Sequence, residues 1–159
     1  MKLGLAIREL HRSERKLALD LTSLSSRHKA DHEIHHVARD LAVWSQSHVR
    51  ELAQVGRAYG LDLNDEPRTE GRTAQVQEKL SDLLGRRPEP GLMLLMDLRH
   101  LHRVAAGVSL DWELLAQGAQ ATRDAVLSTM SRRCHPQTLR QLRWANAHLK
   151  VLAPQVLAS

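Results

Sequence analysis

Phenylalanine is absent from this chain, tyrosine occurs once and tryptophan three times, so aromatic residues make up only 3% of it. A core must then be assembled from Leu, Val, Ala and Met within the 42% of residues that are hydrophobic. Such a palette favours packed helices over sheets, which draw on aromatic and β-branched side chains. The single cysteine, Cys134, excludes an internal disulfide framework and fits a reducing compartment. Long apolar runs are also missing: GLMLLM, at 91–96, is far too short to cross a bilayer. The opening MKLGLAIRELHRSER is charged at Lys2, Arg8 and Glu9, which leaves no apolar core for a secretion signal. These absences lead us to expect a cytoplasmic protein with no membrane partner. A length of 159 residues suits one domain over 1–159.

Acidic residues disappear after Asp124, whereas Arg132, Arg133, Arg140, Arg143 and Lys150 follow it. The net charge of +5 therefore resides in this last segment, and the rest of the chain is balanced. A basic segment of this kind can meet nucleic acid, an acidic partner or acidic faces of its own fold. No aromatic residues interleave with SRRCHPQTLRQLR, at 131–143, as a nucleic-acid reader would want, so a solvated helix face is the plainer reading.

Helical phase, at about 100° per residue, organises what remains. Leu3, Ile7, Leu10, Glu14, Leu17, Leu21 and Leu24 form one seam and predict a helix over 2–24. Ile34, Val37, Leu41, Trp44 or Ser45, His48, Leu52, Val55 and Tyr59 predict a second within 31–59. A polar connection with Gly and Pro covers 60–73, and AQVQEKLSDLL predicts a short amphipathic helix over 74–84. A third main helix is expected over 92–108, and Ser109 reads as the cap of a fourth reaching about 133. His135-Pro136 then reads as a boundary before a last helix seamed by Thr138, Leu142, Ala145, Leu149, Leu152 and Val156.

By eye, KADHEIHHVARD at 29–40 looks like a metal site. Phase turns His32, Glu33, His35 and His36 to the outer side of the second helix, where they read as a solvated face or an intermolecular contact surface rather than an internal ligand set. The polar residues that interrupt apolar seams are Glu14, His48 and Asp97, with His100 on the flank of the last. Buried carboxylates must be paired, hydrogen-bonded or protonated. Glu14, His48 and Asp97 therefore predict either a buried polar network or a metal site, and the network is the simpler of the two. Cys134 beside His135 is a lone pairing in sequence without the third group that nucleophilic chemistry needs.

The segments IRELHRSERKLALDLTSL, HVRELAQVGRAYGLDL and SLDWELLAQGAQATRDAVLSTM, with the long connection between them, resemble the ferritin-like superfamily, closest to its small bacterial stress-associated bundles. The resemblance implies an all-α, antiparallel ferritin-like bundle, with a long connection and a short extra helix between the second and third main helices. It also implies a metal centre in which Glu14 is the first-helix carboxylate and His48 with Glu51 the second-helix pair. The pattern departs from the family where Thr122 takes a slot expected to hold a carboxylate, and where the last helix has no acid at all. We therefore expect a non-catalytic bundle that binds no cofactor and acts through surface contacts or self-assembly. Its expected partner is a second copy in a dimer, or an unidentified protein. The alternatives are a protein or oxidoreductase with a reduced iron, manganese or zinc site at Glu14, His48, Glu51, Asp97 and His100, and a nucleic-acid binder using Arg132, Arg133, Arg140 and Arg143.

Overall fold

The computed structural model describes residues 2–66 and 89–159, which form four long helices and no strand. Helix α1 spans Leu3–Arg27 and buries all seven members of its predicted seam, Glu14 included. Helix α2 spans His32–Gly56 and begins at Asp31, whose side chain accepts the Ile34 N–H at 3.1 Å. A single 3₁₀ turn, Arg57–Tyr59, closes α2 and is followed by Gly60 at φ 72°, the left-handed conformation that glycine adopts without a side-chain clash. The expected short helix over 74–84 lies outside the described residues.

The third and fourth helices differ from expectation. Helix α3 runs without interruption over Pro90–Ala121 and passes through Ser109, which caps nothing. Ser109 Oγ instead pairs with His135 Nε2 at 2.8 Å, across to the last helix. Helix α4 spans Ala125–Leu157 and carries Pro136 and Pro154 within it. Pro136 removes the N–H that the Arg132 carbonyl would accept, but both residues are exposed, where solvent takes the donor's place. The true break is Thr122-Arg123-Asp124. Arg123 adopts φ 56° in the role glycine usually fills, and the Asp124 carboxylate accepts the Leu127 N–H at 3.0 Å to start α4. Five expected main segments become four because two strong local signals, Ser109 and Pro136, are overridden by tertiary packing.

Helices α1 and α2, α1 and α3, and α3 and α4 pack along their lengths, while the α2–α4 edge is the most open. Paired residues show the register. As numbers rise along α1 they fall along α3, with Glu14 meeting Trp112, Asp20 meeting His100, and His28 meeting Asp97. The same holds across the open edge, where Glu33, Leu41, His48 and Glu51 meet His148, Gln141, Gln137 and Arg133. Leu10, Leu17, Leu52, Leu98, Leu101, Trp112, Leu115 and Leu127 fill the interior between these contacts. Among the described residues, no helix is long and apolar enough to cross a membrane.

One cross-link ties the two ends of the chain's turns together. Tyr59 donates its hydroxyl to the Asp124 carboxylate, so the residue that caps α4 also anchors the end of α2. The Leu127 N–H, and then the Tyr59 hydroxyl, hold the Asp124 carboxyl below its ordinary range. Partial burial first, and then Asp124, push the Tyr59 phenol up to about 12. Replacing Asp124 with Ala is expected to cost about 1–2 kcal/mol in urea unfolding through loss of the cap, whereas Asp124→Asn retains most of it.

Candidate functional site

Glu14 stands at the middle of α1 with no exposed surface, in a seam otherwise made of Leu and Ile. A carboxylate there is tolerable only with donors around it. His48 Nδ1–H donates to Glu14 Oε1 at 2.8 Å from α2, and Trp112 Nε1–H donates to the same oxygen at 2.8 Å from α3. Thr138 of α4 adds a longer contact at 3.5 Å. The second oxygen, Oε2, is buried without a hydrogen-bond partner. All four helices thus converge on one oxygen atom.

His48 is 1% exposed and uses both ring nitrogens. Nε2 lies 2.7 Å from Gln137 Oε1, and Cys134 lies near the same ring. Oxygen atoms face both nitrogens, an arrangement that favours an imidazolium donating twice. Burial disfavours that charge, but Cys134 and the Glu14 carboxylate outweigh it and push the His48 pKa up to about 10. One turn along α4, Gln141 continues the network by donating to Ser45 Oγ and to the Leu41 carbonyl, each at 2.9 Å.

The other ligand candidates are elsewhere. Asp97 sits on the flank of α3, not in its seam; Leu94, Leu98, Leu101, Ala105 and Val108 hold the buried face, so the packed stripe is rotated from the predicted one. Asp97 accepts from His28 at 2.7 Å and Arg27 at 3.2 Å. His100 reaches Asp20 at 3.1 Å on the surface. Glu51 is held by both guanidinium nitrogens of Arg133, and that bond is the main reason its carboxyl lies below the ordinary range. The five candidates therefore separate into four places, and only Glu14 and His48 meet.

Two bound cations would need several anionic oxygens around them. The Glu14–His48 centre supplies one carboxylate whose inner oxygen already accepts from His48 and Trp112, and an imidazole with both nitrogens engaged. That donor set does not fit a two-metal centre. Among the described residues, no group of three or more His, Cys, Asp or Glu is arranged to hold a metal ion.

Cys134 lies beside the His48 ring, but that ring already uses Nδ1 on Glu14 and Nε2 on Gln137 and is protonated, so it is not free to act as the base of a thiol nucleophile. The sequence neighbour His135 pairs instead with Ser109. Cys134, His48 and Glu14 are all at most 1% exposed, so no substrate atom can approach the sulfur in this conformation.

The surface candidates fall as follows. His32, Glu33 and His36 are exposed, with the two imidazoles stacked at 5.9 Å, and Glu33 reaches His148 at 3.4 Å. His35 is half-buried, and its Nδ1 lies 2.8 Å from the Ser25 carbonyl, where it braces the α1–α2 turn. Of the basic residues on α4, Arg133 is committed to Glu51, while Arg132, Arg140 and Arg143 are exposed.

Sequence phase pointed to Glu14 and His48 but not to Trp112, Cys134, Gln137 or Gln141. Trp112 was legible as a seam residue; its indole N–H marked it as a donor in need of an acceptor. For Cys134, a false helix boundary at 135–136 hid its phase relative to Thr138; Gln137 and Gln141 lay outside the apolar seam and gave no signal of their own.

Because its folded pKa lies above its ordinary 6.5, His48 stabilises the fold fully below about pH 6.5, and that stabilisation is lost as pH rises towards 10. NMR titration is expected to show the His48 ring protonated at pH 7.5, with a midpoint near its value of about 10. A midpoint near 6.5 contradicts the assignment. Compared with known proteins, the chain matches no family model, no curated protein and no solved structure.

Proposed function

We propose that this chain is a non-catalytic bundle of the antiparallel ferritin-like type, which acts by pairing with a second copy of itself through the outer face of α3. Two features support the ferritin-like arrangement: helices in contact run in opposite senses, and a long connection joins α2 to α3. Sealing of the Glu14–His48–Cys134 line inside the core supports a non-catalytic role.

The observation that carries the pairing is a stripe along α3. Leu92, Met96, Arg99, Arg103, Gly107, Leu110 and Leu114 recur every three or four residues and are all exposed, Leu110 and Leu114 at 66% each. Exposed leucines at adjacent turns of one helix are an unusual use of apolar surface. At the centre, Gly107 has open space around the position of a Cβ, so another backbone can approach it closely.

Charge along the helix is self-complementary about that glycine. Arg103 lies four residues before it and Asp111 four residues after it, and neither forms an ion pair among the described residues. A two-fold axis at Gly107 sets Arg103 of one copy against Asp111 of the other, twice, as an isologous interface requires. The Leu110 and Leu114 side chains then cover the partner helix beside the crossing.

Light scattering coupled to size exclusion is expected to show a dimer. Arg103→Glu should shift it to monomer, and adding Asp111→Arg should restore the dimer by exchanging the charges. A wild-type monomer at high concentration, or a dimer indifferent to Arg103→Glu, contradicts the reading.

A further inference from the structure

A groove beside the first half of α1 is used neither by the Glu14–His48 network nor by the α3 stripe. Arg8, His11, Arg12 and Arg15 share one face of α1, at spacings of three and four residues. Asp62, Leu63 and Asn64 form the opposite wall, enclosing about 550 Å³.

That wall is fixed in place. His11 Nε2–H donates to the Asn64 carbonyl at 2.7 Å, and Asn64 Oδ1 accepts the Glu66 N–H at 2.9 Å. The Leu63 side chain comes within 3.1 Å of where a Cβ on Gly56 would stand, so the absence of a side chain at Gly56 lets the wall pack closely against α2.

Positive charge in the groove exceeds negative charge. Burial first, with the Arg15 charge acting in the same sense against the bond to Asn64, holds the His11 pKa below its ordinary value, so that ring is neutral at pH 7. The charge comes from three guanidiniums facing one carboxylate, Asp62. Arg12 has a loose, exposed contact with Glu9 at 3.7 Å; among the described residues Arg8 and Arg15 form no ion pair. Arg15 Nε is buried and has no hydrogen-bond partner.

We propose that this groove binds a small phosphorylated, hydroxyl-bearing molecule through Arg8, Arg12 and Arg15. Guanidinium forks match phosphate oxygens two at a time, which ammonium groups cannot do. Arg8 and Arg15 are about 10 Å apart along the helix, wider than one phosphate, which suits a ligand with phosphates at both ends. Asp62 offers acceptors for hydroxyl groups between them. Among the described residues no Phe, Tyr or Trp lines the groove, and the His11 ring is buried and tied to Asn64, so they offer no stacking surface for a nucleobase.

The test is calorimetric titration of the full chain with fructose 1,6-bisphosphate and with inorganic pyrophosphate, against sulfate and citrate at matched ionic strength. Saturable binding of the bisphosphate is expected, weakened on the order of tenfold or more in Arg8→Gln/Arg12→Gln, since charge-assisted bonds are lost. Both residues are exposed, so the variant's thermal midpoint without ligand should match the parent's and show that the fold is intact. Arg15→Lys, which keeps the charge and loses the fork, should also weaken binding. The proposal is overturned by absence of saturable heat with either phosphate, by an affinity unchanged in the double variant, or by equal binding of sulfate and citrate, which marks an adventitious ion only. Binding of an acidic peptide in place of both phosphates overturns it as well.

Discussion

The bond between the Glu14 carboxylate and the His48 imidazolium constrains every other part of this bundle. Neither residue has solvent to fall back on, so each must be placed where the other can reach it. Glu14 meets His48 only if the α1–α2 turn is centred close to residue 31, and Asp31 is the residue whose side chain begins α2. Trp112 then sets the height of α3 against α1, while Gln137 and Thr138 set that of α4. A wholly apolar seam of leucines would tolerate a slip of one turn between helices; a buried carboxylate with directed donors does not.

The polar centre also shapes what the surface is free to do. Glu14, His48 and Cys134 are sealed inside, away from the outer faces of the helices. Asp20, Glu51 and Asp97, each partly buried, are matched to basic groups. The surfaces left unmatched are the leucine-bearing face of α3, the arginine groove of α1 and the exposed arginines of α4.

Much of the interior was legible in the sequence because an amphipathic helix writes its buried face at a fixed period. The α1 seam emerged residue for residue, and Glu14 and His48 stood out as polar interruptions of apolar rows. The errors arose where local signals compete with packing. Ser109 resembles a cap, yet its hydroxyl is taken by His135, and Pro136 resembles a boundary, yet sits on an exposed side where the lost bond is cheap. Conversely, Arg123 gives no warning of a left-handed turn, because that conformation is normally marked by glycine or asparagine. On α3, Leu98 and Ala105 take the buried positions that the expected seam gave to their neighbours Asp97 and Val104, so Asp97 lies on the flank. Contacts between helices, such as Trp112 to Glu14 and Cys134 to His48, depend on axial height, which periodicity does not encode.

The most direct test of this account is a double-mutant cycle between Glu14 and His48, measured by urea unfolding at pH 7. Leu at either position alone leaves the other polar group buried without its partner, and each change should cost about 3–5 kcal/mol. The Glu14→Leu/His48→Leu variant should be destabilised far less than the sum of the two, with a coupling of about 2 kcal/mol or more. Single costs that are small and simply additive would contradict the claim that this pair fastens the four helices together.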